Sequence, residues 1–139
     1  MESSKEVYRP NWGRKVPLAF AVLVFLLTLV AAILQPGGAL FSYVWRVSMP
    51  VVSAIVILAL LMAARPRLEI SEHGLVVVNI FQKHRLDWNQ VLAVRFAKDA
   101  PWASLDLADG TKLNVMAIQN SDGLRARKMA TEIANRASR

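Results

Sequence analysis

Residues 16–34 read VPLAFAVLVFLLTLVAAIL, a run without a single charge in which Thr28 is the only polar side chain. As a helix, such a run is about as long as the ~30 Å hydrocarbon core of a bilayer is thick. A buried core helix would need far more chain around it than 139 residues supply. A cleaved signal peptide would carry an apolar core of only about 7–15 residues, and here a second apolar run follows. The segment is expected to cross a membrane. Pro17 is placed in its first turn, where a missing N–H costs nothing.

Moving outward, Gln35-Pro36-Gly37-Gly38 combines the strongest turn-forming residue types and ends this helix. A second span is expected over residues 41–64, uncharged from residue 47 onward, with Pro50 inside it. Arg46 is the only charge in residues 16–64. It stands near the start of the second span beside Tyr43 and Trp45, so its guanidinium can reach the headgroups while the rings sit at the interface. Tyr8 and Trp12 are similar candidates for the membrane interface ahead of the first span. The connecting turn is too short to hold a domain, so the two helices should be antiparallel neighbours. Lys5, Arg9, Arg14 and Lys15 precede the first span and Arg65 and Arg67 follow the second, while the turn between has no cation. Positive residues stay inside. The expectation is a multi-pass protein of a bacterial inner membrane with both termini cytoplasmic.

Composition agrees with this partition. The chain is 55% hydrophobic yet carries a net charge of +7, an unusual pairing for one soluble domain. It resolves because the charges lie in a cytoplasmic segment, residues 1–15, and in a soluble domain, residues 65–139, on either side of the hairpin of residues 16–64. Basic residues beside apolar spans report topology and attraction to anionic lipid, not nucleic acid. With no cysteine in the chain, disulfides and thiolate metal sites are excluded.

From Arg67 the pattern changes to the alternation of half-buried strands. Leu68 and Ile70 alternate with Glu69 and Ser71, and Glu72-His73-Gly74 turns the chain. Residues 75–81, LVVVNIF, read as a well-buried strand, and Gln82-Lys83 as the next turn. Leu86 and Trp88 alternate with Arg85 and Asp87. Leu92, Val94 and Phe96 are expected on one face of the strand after that. Residues 102–107 precede an Asp109-Gly110 hairpin signal, and Leu113 and Val115 mark the returning strand. These are six strands in about fifty residues. After Ser121-Asp122-Gly123, the residues Ala126, Met129, Ala130, Ile133, Ala134 and Ala137 recur at helical spacing, with Ser121 or Asp122 as the expected cap. The fold class is α+β: a two-helix membrane hairpin, then a small β-barrel or sandwich capped by an amphipathic helix.

Residues 65–136 in this order resemble the bacterial PH-like domains, in particular the low molecular weight protein antigen 6 type of actinobacteria. The resemblance rests on Arg65-Pro66-Arg67, Glu72-His73-Gly74-Leu75, Leu86-Asp87-Trp88, Pro101-Trp102, Leu105-Asp106-Leu107-Ala108-Asp109-Gly110 and Asp122-Gly123. It implies a seven-stranded fold, one strand more than the pattern supplies, and a binding role. It does not carry over a phosphoinositide site, because Ser71-Glu72-His73-Gly74 is short and acidic where such a site would be basic.

Catalysis has little to work with. His73 and His84 are read as solvated turn residues outside any metal-ligand spacing. Asp109 is explained by its turn and Asp106 by strand alternation, and no serine has a base beside it. The expectation is a non-enzymatic membrane-anchored binding or scaffold module with no cofactor, no metal, no nucleic acid and no small-molecule substrate. Its partners would be membrane lipids and other membrane proteins. Arg65, Arg67, Lys83 and Arg85 are the candidates to face lipid or partner; Trp12, Trp45 and Arg46 are the candidates for the membrane interface. The alternative is an accessory subunit or assembly factor of a larger membrane complex. Small residues such as Ala21, Ala31, Ser53 and Ala59 would then let helices approach closely.

Overall fold

The computed structural model describes residues 6–34 and 39–139, residues 39–41 by their backbone alone. Lys5 and the Gln35-Pro36-Gly37-Gly38 turn lie outside the described residues. The chain forms two compact units. One is the helical segment Lys15–Ala64; the other joins Arg65–Arg139 to the N-terminal segment as far as Arg14.

In the helical unit, α1 (Trp12–Ile33) and α2 (Ala39–Ala63) are 22 and 25 residues long, about 33 and 38 Å of helix. Both are long and apolar enough to cross a membrane. Their apolar side chains are almost all exposed, and Ala21 is the only buried residue among the described residues of the two. A core helix of a soluble protein would be buried instead. Two polar side chains satisfy each other. Thr28 donates to the Val24 carbonyl at 2.7 Å, and its Oγ1 lies 2.6 Å from Ser53 Oγ. Because α1 begins at Trp12, Pro17 falls in the second turn and not the first.

Among the described residues the other unit has seven strands in two antiparallel sheets. The first sheet has the order β1-β2-β3-β4, formed by Glu6–Tyr8, Arg67–Ile70, Gly74–Val78 and Lys83–Asp87. The second is β5-β6-β7, formed by Val91–Arg95, Trp102–Leu107 and Lys112–Gln119. The sheets do not close into a barrel, so the arrangement is a sandwich. Helix α3 (Leu124–Ala137) packs on it through Ala126, Met129, Ala130 and Ile133, the stripe its spacing requires. Leu68, Ile70, Leu75, Val77, Leu105, Val115 and Ile118 fill the core between the layers.

The seventh strand is β1, which precedes α1. It pairs antiparallel with β2, Tyr8 opposite Leu68, and Tyr8 joins the core with 4% of its surface exposed. The whole apolar hairpin is therefore an insertion between the first two strands of one sheet. Three residues are too few to show a period, so alternation could not reveal them.

Two other strand expectations are corrected. Strand β3 ends at Val78, and the turn falls at residues 79–82, where the Asn79 amide hydrogen-bonds to the Gln82 carbonyl at 2.8 Å. Phe81, expected in a buried strand, is 82% exposed. In β5 a register shift between Val91 and Ala93 breaks the alternation. Val91 turns inward while Leu92, expected to share the face of Val94 and Phe96, is 67% exposed.

Candidate functional site

The first sheet sorts the candidate cations by register. Arg67 is opposite Val78, which is opposite Lys83; Glu69 is opposite Val76, which is opposite Arg85. Side chains two apart on a strand share a face, so Arg67, Lys83 and Arg85 fall on the same outer face of this sheet. Inward neighbours Leu68, Ile70, Leu75 and Val77 are buried. Lys83 and Arg85 are exposed, whereas Arg67 is held by Glu69, Nε to Oε1 at 2.9 Å. Arg65 is exposed in the three-residue connection between α2 and β2.

The interface candidates divide. Trp12 opens α1 and belongs with the strands. Trp45 and Arg46 lie in the helical unit, where with Thr28, Ala32, Met49 and Pro50 they line a cavity of about 340 Å³.

A joint missed by sequence reasoning ties the N-terminal strand to the far end of the chain. The Asp122 carboxylate accepts hydrogen bonds from the backbone amides of Asn11 at 2.9 Å and Trp12 at 3.2 Å. These are among the first, unpartnered N–H groups of α1, where a carboxylate is favoured. Ser121 or Asp122 is the expected cap of α3, but the residue at that position is Gly123, and no side chain caps the helix there. The Tyr8 hydroxyl also donates to Asp122, at 3.5 Å, and the Arg125 guanidinium lies 4.7 Å from the centre of the Tyr8 ring. An Asp-Gly pair before a helix gives no hint that the carboxylate serves a helix more than a hundred residues earlier.

Burial, then the negative charge of Asp122, pushes the Tyr8 hydroxyl up to about 12, against a smaller opposing effect of Arg125. An unfolded tyrosine ionises near 10. Between these values the folded chain keeps a proton that the unfolded chain has lost. The stabilisation is complete below about pH 10 and is lost as pH rises towards 12. Tyr8→Phe is expected to remove this slope, so the unfolding midpoints of the two proteins in detergent should converge from pH 9 to 11. Parallel curves would show that Tyr8 ionises as easily folded as unfolded.

Two parts of the sequence pattern turn out to be halves of a second joint. The Trp88 indole N–H donates to the carbonyls of Ser71 and Glu72 at 3.2 and 3.1 Å, and Ser71 Oγ donates to the Gly74 carbonyl at 2.9 Å. Glu72-His73-Gly74 and Leu86-Asp87-Trp88 are thus a turn and its clasp. His84 lies within β4, not in a turn, with Nε2 3.2 Å from Gln82 Oε1.

Asp106 and Asp109 are also occupied by structure. Asp106 pairs with Arg95. Asp109 Oδ1 accepts from the Thr111 hydroxyl and amide at 2.7 and 2.9 Å, and these bonds hold its carboxyl below the usual range. Among the described residues no group of three His, Cys, Asp or Glu side chains could hold a metal.

Residues 65–136 match the protein family described as Bacterial PH domain. Three uncharacterized mycobacterial proteins, two from strains of Mycobacterium tuberculosis and one from Mycobacterium bovis, are each 33% identical to this chain over 123 residues. The aligned stretch is 86% of this chain and 80% of each relative. A stretch of that length necessarily takes in most of the apolar hairpin as well as strands β2 to β6. No solved structure matches the chain significantly.

Proposed function

Because the chain belongs to the bacterial PH-domain family, we propose that it is a membrane-anchored binding module, its PH-like unit held at the cytoplasmic face of a bacterial inner membrane. The observation that carries this reading is the pairing of β1 with β2 across the intervening hairpin. Strands that hydrogen-bond to each other lie on the same side of a membrane. The hairpin between them must therefore cross it an even number of times. Two helices of spanning length and apolar surface meet that condition with one out-and-back passage. Arg9, Arg14 and Lys15 before the passage, and Arg65 and Arg67 after it, favour the cytoplasmic side for both ends.

The connections support a surface role. Only Arg9-Pro10-Asn11 joins β1 to α1, and only Ala64-Arg65-Pro66 joins α2 to β2. Each connection is three residues long, which leaves little chain between strand and helix on either side. Near such a surface each basic residue contributes about 1 kcal/mol of attraction to anionic lipid, which gives Arg65, Lys83 and Arg85 a partner. Family membership favours binding over catalysis.

A chain without cysteine makes the topology directly testable. Single cysteines at Ser4, Gly37 and Ser138 are expected to differ in intact cells. Gly37→Cys should react with an impermeant maleimide, and Ser4→Cys and Ser138→Cys should react only after permeabilisation. Equal labelling of Gly37→Cys and Ser138→Cys in intact cells would remove the out-and-back passage.

A further inference from the structure

Among the described residues, Phe81 is the most exposed large apolar side chain, more so than any on the two apolar helices. It is not on a loose loop. The turn of residues 79–82 is closed by the Asn79 amide on the Gln82 carbonyl, and the Asn79 side chain is itself fixed to β7 at 2.7 and 3.1 Å. A stiff turn that presents a phenyl ring to water has lost hydrophobic free energy for no gain in its own folding.

The sheet register says what the ring is presented to. Arg67, Val78 and Lys83 form the last row of the first sheet, and the turn of residues 79–82 lies just beyond it. Arg67 is also where the chain arrives from α2, and Tyr8, opposite Leu68, is where it leaves for α1. The Phe81 turn and both connections to the apolar hairpin thus stand at the same end of the same sheet. That end is rich in cations: Arg9, Arg65 and Lys83 are exposed there, Arg67 is balanced by Glu69, Arg85 is exposed at the middle of β4 on the face of Lys83, and Asp87 lies at the opposite end of β4.

We propose that the turn of residues 79–82 is a third membrane attachment, separate from the two helices. Phe81 enters the headgroup region of the bilayer that carries the hairpin, while Lys83 and Arg85 meet its anionic lipid phosphates. An aromatic ring below the headgroups with cations level with them is the arrangement that side chains adopt at a bilayer interface. The proposal rests on the spanning of the hairpin and adds the surface on which the PH-like unit rests.

The test uses the full chain with Gln82→Cys carrying a nitroxide, reconstituted into vesicles of phosphatidylcholine with phosphatidylglycerol. Asp109→Cys, on the β6–β7 turn, serves as an aqueous reference. The label at residue 82 is expected to collide more readily with oxygen than with a water-soluble nickel chelate, and the label at 109 the reverse. Phe81→Asp should return the label at 82 to water without unfolding the protein, since the side chain is exposed and outside the core. Lys83→Glu with Arg85→Glu should shift it the same way. A label at 82 as wet as that at 109 would overturn the proposal. So would a label that is wet in vesicles but shielded in native membranes, which would mark a protein partner instead. Cysteine labelling of Gly37 and Ser138 keeps the two readings separate. If these two still differ in intact cells, only the third attachment has failed.

Discussion

Asn79→Leu is expected to destabilise the β-rich unit by about 3 kcal/mol, as the loss of two buried hydrogen bonds. Asn79 is the one buried polar residue among those described, 8% exposed. Its Nδ2 donates to the Asn114 carbonyl at 2.7 Å, and its Oδ1 accepts from the Met116 amide at 3.1 Å. Both partners are backbone groups of β7, which has β6 on one side and is an edge strand on the other. A single side-chain amide from the first sheet thus stands in for a neighbouring strand on that edge. Leucine has the same number of side-chain heavy atoms and the same branching at Cγ, so the loss is not a cavity but an N–H and a C=O with nothing to bond. Each such orphan costs about 1–3 kcal/mol. Asn79→Asp keeps an acceptor for Met116 but sets a carboxylate against the Asn114 carbonyl, and should be no better. Asn114→Ala, which removes an exposed side chain and leaves its carbonyl in place, should fall within about 0.5 kcal/mol of the parent. Denaturant unfolding of the three variants in detergent decides the matter. Asn79→Leu matching Asn114→Ala would mean that water already serves the edge of β7.

The same residue explains one limit of what could be read in advance. Residues 75–81 are uniformly β-forming apart from Asn79, and composition alone continues the strand through Phe81. What ends it is a contact with a strand more than thirty residues later, which no local window contains. The missed β1 has the same cause on a larger scale. Glu6–Tyr8 is too short to show alternation, and its partner β2 lies beyond the apolar hairpin. Where the information was local, the reading held. Residues 102–107 form β6 as expected, and the Ala126–Met129–Ile133 stripe is the buried side of α3. The candidate site was legible in part. The exposure of Arg85 follows from alternation and that of Lys83 from the turn read at Gln82-Lys83, but that Arg67 shares their face depends on the register of three strands. Phe81 as a surface feature was hidden by its own hydrophobicity, because an apolar residue after LVVV is read as core until the turn is located.

Gly74→Val is expected to cost at least as much, because here the neighbour is backbone. A Cβ built on Gly74 would fall on the Leu86 carbonyl oxygen and within 3.0 Å of Asp87 Cα. Gly74 does not have a positive φ, so space and not conformation requires the glycine. Strand β4 cannot step aside locally: Gly74 is paired with Asp87 and Leu75 with Leu86, and the adjacent Trp88 clasps the 71–74 turn. Moving it would strain the pairing, withdraw the indole from two carbonyls and lift Leu86 from the core. Overpacking of this kind costs about 1–3 kcal/mol before any lost hydrogen bond is counted, and about 4 kcal/mol in total is the expected outcome. Gly74→Ala should already show most of it, since the offending atom is Cβ. Gly110 gives the contrast. It has open space around its Cβ position but a φ of 83°, so Gly110→Ala should cost only the left-handed strain of about 1–2 kcal/mol. Trp88 fluorescence, in a background where the other tryptophans are replaced by phenylalanine, reads the Gly74 joint directly. Its emission is expected to shift to the red in Gly74→Ala and to stay unchanged in Gly110→Ala. An unshifted Trp88 with full stability in Gly74→Ala would show that the two halves of the joint are not in contact.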